Sequence, residues 1–189
     1  MDMKFWWYIQ WPASVRANTL LYIRSNKDGK LISINVLEYA ALLINYAAAY
    51  HYYGQHPDPS DPFPQVLFYA DNTAAESWMD KACNSSLIGR ALSRLQCAIM
   101  MNNSMGFHTG HATTNNVIAD RISRIKHETQ SMLHFKSLIQ EYPELAGCKR
   151  FQPNVALISS IMDAILLKKF VDPMVINNEL LTNPAQPTS

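Results

Sequence analysis

Cysteine is scarce in this chain and scattered. Cys83, Cys97 and Cys148 are the only three, odd in number and without a Cys-x-x-Cys pair. Neither a disulfide framework nor a structural zinc site is built from such a set, and a reducing compartment is indicated. Excess charge of one sign is lacking as well: the formal net charge is +1, so any nucleic-acid role has to rest on a local site and not on the field of the whole molecule. Long apolar runs are also absent. The most apolar segment, residues 36–50 (VLEYAALLINYAAAY), carries Glu38 and falls short of the ~20 residues that cross a bilayer. The opening MDMKFWWYIQWP has one Lys and too short an apolar stretch for a secretory signal. The expectation is a soluble, intracellular protein.

What is present suits one domain, or one domain with an appendage. The chain has 189 residues, of which 48% are hydrophobic and 16% charged, enough to bury a real core. Residues 4–11 (KFWWYIQW) are aromatic and lack a helix start, so they read as a strand. Residues 18–25 and 30–34 read as two more, joined through Asn26-Lys27-Asp28-Gly29, whose Asp-Gly pair is a hairpin signal. A three-stranded antiparallel start is predicted.

From Asn35 to about Tyr52 the apolar residues recur at three and four positions, which predicts a core helix with Asn35 as its cap. Glu38 falls in its first turn, where the helix dipole alone would account for an acid. Residues 54–65 hold four prolines and form a loop. The run Val66 to Ala70 then reads as a buried strand, ending at Asp71, with Asn72 or Thr73 capping a following helix. An Asp there is either a turn former or a functional group at a strand's carboxyl edge.

A helix over about 88–101 carries Arg90 and Arg94 on one face, a pattern that simple solvation also explains. Residues 105–114 are β-compatible. His108 and His111 are three apart there, without a helix to align them or a third ligand in reach, so a zinc site is disfavoured. Asn115 or Asn116 then caps a helix bearing Asp120. Residues 127–142 and the stretch from Asn154 read as two further helices, and the end of the chain as a polar tail.

Glu38, Asp71 and Asp120 thus arrive one after another at the ends of elements in the order β-β-β-α-β-α-α-β-α. NVLEYAALLINYAAA, ADNTAAESW, SSLIGRALSRLQC and NNVIADRISR, in that order, resemble the ribonuclease H domain of retrotransposon reverse transcriptases, particularly the tyrosine-recombinase (DIRS-like) type. The resemblance covers about residues 3–170. It implies an α/β fold with a mixed five-stranded sheet flanked by helices over residues 1–125, a helical extension over 126–172 and a flexible tail over 173–189.

It also implies hydrolysis of the RNA strand of an RNA:DNA hybrid by two Mg²⁺ or Mn²⁺ ions, with Glu38, Asp71 and Asp120 as ligands. Hard cations take oxygen donors, and a pair of them activates water and stabilises the leaving oxygen. Asn35, Asn72, Arg90, Arg94 and His111 are the implied nucleic-acid contacts, Asn35 and Asn72 toward the 2′-hydroxyls of the minor groove. The implied partners are the hybrid and the reverse transcriptase module of the same polyprotein, with no membrane and no small-molecule cofactor.

One departure divides the readings. The family's first strand, which carries the aspartate shared by both ions, has no counterpart ahead of residue 4, and Asp2 sits on the wrong element to replace it. The expectation is therefore a truncated, degenerate or polyprotein-derived chain, either active or a catalytically dead remnant that binds nucleic acid, in which Arg121 and Arg124 join Arg90 and Arg94, or binds protein.

Overall fold

The computed structural model describes residues 5–20, 32–54, 60, 63–82, 86–101, 103, 105–112, 117–125 and 128–170. Their elements are β1 (Phe5–Trp6), α1 (Ala13–Ala17), β2 (Thr19–Leu20), β3 (Ile32–Ser33), α2 (Ile34–Ala49), β4 (Gln65–Ala70), α3 (Thr73–Lys81), α4 (Leu87–Met101), β5 (Gly106–His111), α5 (Val117–Ser123), α6 (Ser131–Glu141), β6 (Lys149–Arg150) and α7 (Val155–Met162). The class is α/β.

Helix α2 is the axle of the fold. Val36, Leu37, Tyr39, Ala40, Leu42, Leu43, Ile44 and Tyr46 to Ala49 are all buried, so the helix is apolar nearly all round, as a helix enclosed by others must be. Its start differs from the expected one: Ser33 caps it, its Oγ accepting from the Asn35 N–H at 3.2 Å. Asn35 lies inside the first turn, and its side chain is released for another bond. Around α2 pack Ala75 and Met79 of α3, Ile88, Ala91, Leu92, Leu95 and Ile99 of α4, and Leu157 and Ile161 of α7. The segment 151–165 therefore belongs to the same core as α2, through Phe151, Leu157, Ile161, Ala164 and Ile165.

A buried polar chain fixes three of these helices against each other. The Tyr39 hydroxyl donates to Gln96 Oε1 and lies 3.3 Å from Ser93 Oγ, while Gln96 Nε2 donates to the Met79 carbonyl at 2.6 Å. Burial pushes the Tyr39 hydroxyl pKa well up, against the lowering effect of Ser93, so it stays a donor.

The predicted five-stranded mixed sheet is not seen among the described residues. Three separate two-stranded sheets occur, β1-β6, β2-β3 and β4-β5, and all three pairs are parallel. The predicted hairpin turn at 26–29 lies outside the described residues. Strand 4–11 is short because β1 ends at Trp6 and Pro12 opens α1, its carbonyl accepting from Val15 and Arg16. The partner of β1 comes from the far end of the chain, with Phe5 beside Lys149 and Trp6 beside Arg150.

Strand β4 lies where the sequence puts it but is not buried on both faces. Phe68 is 8% exposed, whereas Leu67 and Tyr69 are 52% and 61% exposed. One face of the β4-β5 pair meets α2, through edge-on contacts of Phe68 and Phe107 with Tyr46, and the other faces solvent.

Candidate functional site

Glu38, Asp71 and Asp120 come together on the wall of one cavity of about 480 Å³. Glu38 stands on α2, half-buried. Asp71 follows β4 directly and Asp120 lies in α5, both exposed at the rim. The remaining wall is Ala41, Leu42 and Asn45 of α2, Tyr69 and Ala70 of β4, Ala112 just past β5, Ala119 and Ser123 of α5, and Arg124 just past it. Glu38, Ala41 and Asn45 are spaced 3 and 4 along the helix and so share a face.

The electrostatics of the three acids differ. Burial raises the Glu38 carboxyl above its ordinary value of 4.5, and the nearby charge of Asp71 raises it further. A half-buried carboxyl raised in this way forms a locus that a cation relieves. Asp120 is already answered: Arg124 grips it in a two-pronged contact, Nη2 to Oδ2 at 2.9 Å and Nε to Oδ1 at 3.0 Å. Such an exposed i,i+4 pair contributes only about 0.3–0.5 kcal/mol, so Arg124 holds Asp120 weakly. The three acids offer oxygen donors, the type that hard divalent ions take. As the side chains stand, no three His, Cys, Asp or Glu among the described residues form a group that could hold a metal ion.

The expected nucleic-acid contacts separate. Asn72 caps α3, its Oδ1 accepting from Ala74 N at 3.1 Å and Ala75 N at 3.0 Å, and its Nδ2 donates to Asn35 Oδ1 at 2.9 Å. The two asparagines thus hold the start of α3 against the start of α2. Arg90 and Arg94 are exposed on α4, and neither lines the acid cavity. The Arg94 guanidinium stacks 5.1 Å over the Phe170 ring. His111 Nδ1 lies 2.8 Å from Glu76 Oε1, and three positions along a strand place His108 and His111 on opposite faces, which disposes of a shared metal.

Sequence reasoning missed Asn45, Tyr69 and a second cavity. That one measures about 1020 Å³ and shares Glu38, Ala41, Asn45, Ala119 and Ser123 with the first, so the two form one cleft. Its other walls are the run from Phe5 to Trp11, Arg16 of α1, Ile34 and Leu37 of α2, Ile118 and Ile122 of α5, and Ile125, Phe135, Leu145 and Cys148. Trp7 is tied to its floor, Nε1 donating to Asn45 Oδ1 at 2.6 Å. Tyr8 is tied to the chain just past α5, its hydroxyl donating to the Ile125 carbonyl at 2.7 Å. The signal for Asn45 was its place seven residues after Glu38 on one helix face; the aromatic wall had none, because its role depends on α5.

No helix among the described residues is long and apolar enough to cross a membrane. Comparison with family models, with curated proteins and with solved structures gives no match.

Proposed function

We propose that the acid end of the cleft is the metal site of a ribonuclease H-type nuclease, hydrolysing the RNA strand of an RNA:DNA hybrid. The convergence of Glu38, Asp71 and Asp120, from three elements, on one small cavity carries this reading. Mg²⁺ or Mn²⁺ would be held by Glu38 and Asp71, with Asp120 joining once Arg124 lets go. A bound divalent ion supplies water activation and charge neutralisation at the scissile phosphate. The chain's own part is to keep Glu38 half-buried beside Asp71 and to place Arg124 at the rim, where a guanidinium released from Asp120 meets a phosphate.

The test is cleavage of a fluorophore-quencher RNA:DNA hybrid with added Mg²⁺ or Mn²⁺. Cleavage by the wild type and loss of at least ~100-fold in Glu38→Gln and Asp71→Asn, a few kcal/mol of barrier, is the expected result. Equal signals from all three proteins would discard the nuclease.

A second reading is favoured by a specific observation. Asp120 is occupied by Arg124, and no fourth carboxylate lines the cavity among the described residues, as a catalytically dead remnant would have it. Such a protein binds hybrid with an affinity that falls as salt rises and never turns it over.

A further inference from the structure

We infer that the exposed stripe of α4 is a docking site for an acidic amphipathic helix of another protein. None of its residues lines either cavity, so it is independent of the proposed metal site.

Helix α4 is buried along most of its surface, and what it leaves to solvent is ordered. Of its 15 residues, Leu87, Arg90, Arg94, Cys97 and Met101 are exposed, at spacings of 3, 4, 3 and 4. That alternation is the seam of a two-helix coil, a line along which a second helix packs. A stripe that merely meets water would carry lysine, glutamate or glutamine, and this one carries none. Its ends are apolar, with Leu87 49% and Met101 75% exposed. Methionine and arginine are residues that interfaces collect, and a free thiol such as Cys97 is one that a plain solvated surface does best without.

The charge of the stripe identifies the partner. Helix α4 has no acidic residue, and among the described residues neither Arg90 nor Arg94 has an ion pair. Arg94 lies 5.1 Å over the Phe170 ring, which brings an exposed aromatic side chain to the middle of the seam. Two guanidinium groups framed by apolar side chains match a helix with carboxylates at its centre and leucines at its ends, each carboxylate gripping a guanidinium in a two-pronged contact. A second copy of this chain does not fit, because a two-fold antiparallel pairing sets Arg94, at the midpoint of the stripe, against its own counterpart. Nucleic acid does not fit either: phosphates answer the arginines but leave Leu87 and Met101 without cover. A lipid surface takes a broad apolar face with its cations on the opposite side, and here both kinds of residue share one narrow line.

The experiment uses the whole chain and a fluorescein-labelled peptide, Leu-Ala-Gln-Glu-Ala-Gln-Ala-Glu-Ala-Gln-Leu-Ala-Gln-Ala-Leu, which repeats the seam spacing with acids at its centre. Saturable binding below about 100 μM by anisotropy is expected, with alkylation of Cys97, read by peptide mass, slowed at saturation. Arg90→Glu combined with Arg94→Glu should weaken binding at least about tenfold and should take up instead the peptide whose glutamates are replaced by lysines. Should loss of the Arg94 and Phe170 contact unfold that variant by circular dichroism, Arg90→Glu alone shows the same exchange of preference. Leu87→Ser combined with Met101→Ser should also weaken binding at least about tenfold, which charge attraction alone would not produce. Glu38→Gln abolishes cleavage under the proposed function yet should leave peptide binding within about twofold, so the two readings fail separately. No saturable binding, unchanged binding by the charge-reversed variant, or displacement of the peptide by an RNA:DNA hybrid or by phosphatidylserine vesicles overturns the inference.

Discussion

Replacing Asn72 with Ala removes two functions of one amide. Its Oδ1 satisfies the Ala74 and Ala75 N–H groups at the start of α3, and its Nδ2 satisfies Asn35 Oδ1. Loss of an asparagine cap costs about 1 kcal/mol, and leaving a part-buried amide oxygen without its donor costs about 1 kcal/mol more. The expected loss of about 2 kcal/mol lowers Tm by roughly 4–8 °C in a chain of this size. Asn72→Ser separates the halves, since serine caps as well but does not reach Asn35, and should lose about 1 kcal/mol. Urea denaturation of Asn72→Ala, Asn35→Ala and the double variant gives the coupling directly, with at least about 0.5 kcal/mol of non-additivity expected. An Asn72→Ala protein within about 0.5 kcal/mol of wild type, or an additive cycle, would refute the structural role and return both asparagines to the candidate hybrid contacts.

Glu38 gives a pH signature. Its carboxyl is raised in the fold by burial and by Asp71, so its stabilising contribution is complete below the ordinary value of 4.5 and is lost as pH climbs through the raised value. Glu38→Gln should melt with wild type at about pH 4 and above it at about pH 7; the reverse order would show that Glu38 is stabilised as a carboxylate. Mg²⁺ at roughly ten times its Kd should add about 1.4 kcal/mol to the wild type and nothing to Asp71→Asn, read as Tm. Arg124→Ala should change stability by under about 0.5 kcal/mol while tightening Mg²⁺ binding by freeing Asp120, and weaker binding by calorimetry would show that Arg124 is no competitor. Gln96→Leu removes the donor to the Met79 carbonyl and leaves the Tyr39 hydroxyl only Ser93 Oγ, and should cost about 1–3 kcal/mol in chemical denaturation.

Elements with a strong local period were legible. The apolar spacing of α2 and α4, the Val66 to Ala70 run and the proline that ends α6 all announce themselves, and Asn72 is found as the cap it resembles. Pairing was not legible. A two-residue strand such as β1 has no pattern that points to Lys149 and Arg150, since its partner is chosen by the stacking of Trp6 on Phe135 and Arg150 over Trp6. Exposure of Leu67 and Tyr69 was invisible for a related reason: five apolar residues in a row describe a strand with two covers, and this fold supplies one. At the site, the acids could be named because carboxylates at element ends stand out. That Asn35 and Asn72 bond each other, and that Arg124 holds Asp120, depend on angles between elements that no spacing encodes.

The Tyr39, Gln96 and Met79 chain bears on how the acid pair tolerates change. Glu38 and Tyr39 are neighbours in sequence, and Met79 sits on the helix whose first residue is two beyond Asp71. A one-turn slip of α4 would unseat every bond in that chain at once, so the helices have a single notch rather than a sliding fit. The spacing of Glu38 and Asp71 is thereby set from inside the molecule, and loops at the surface are free to drift without detuning it.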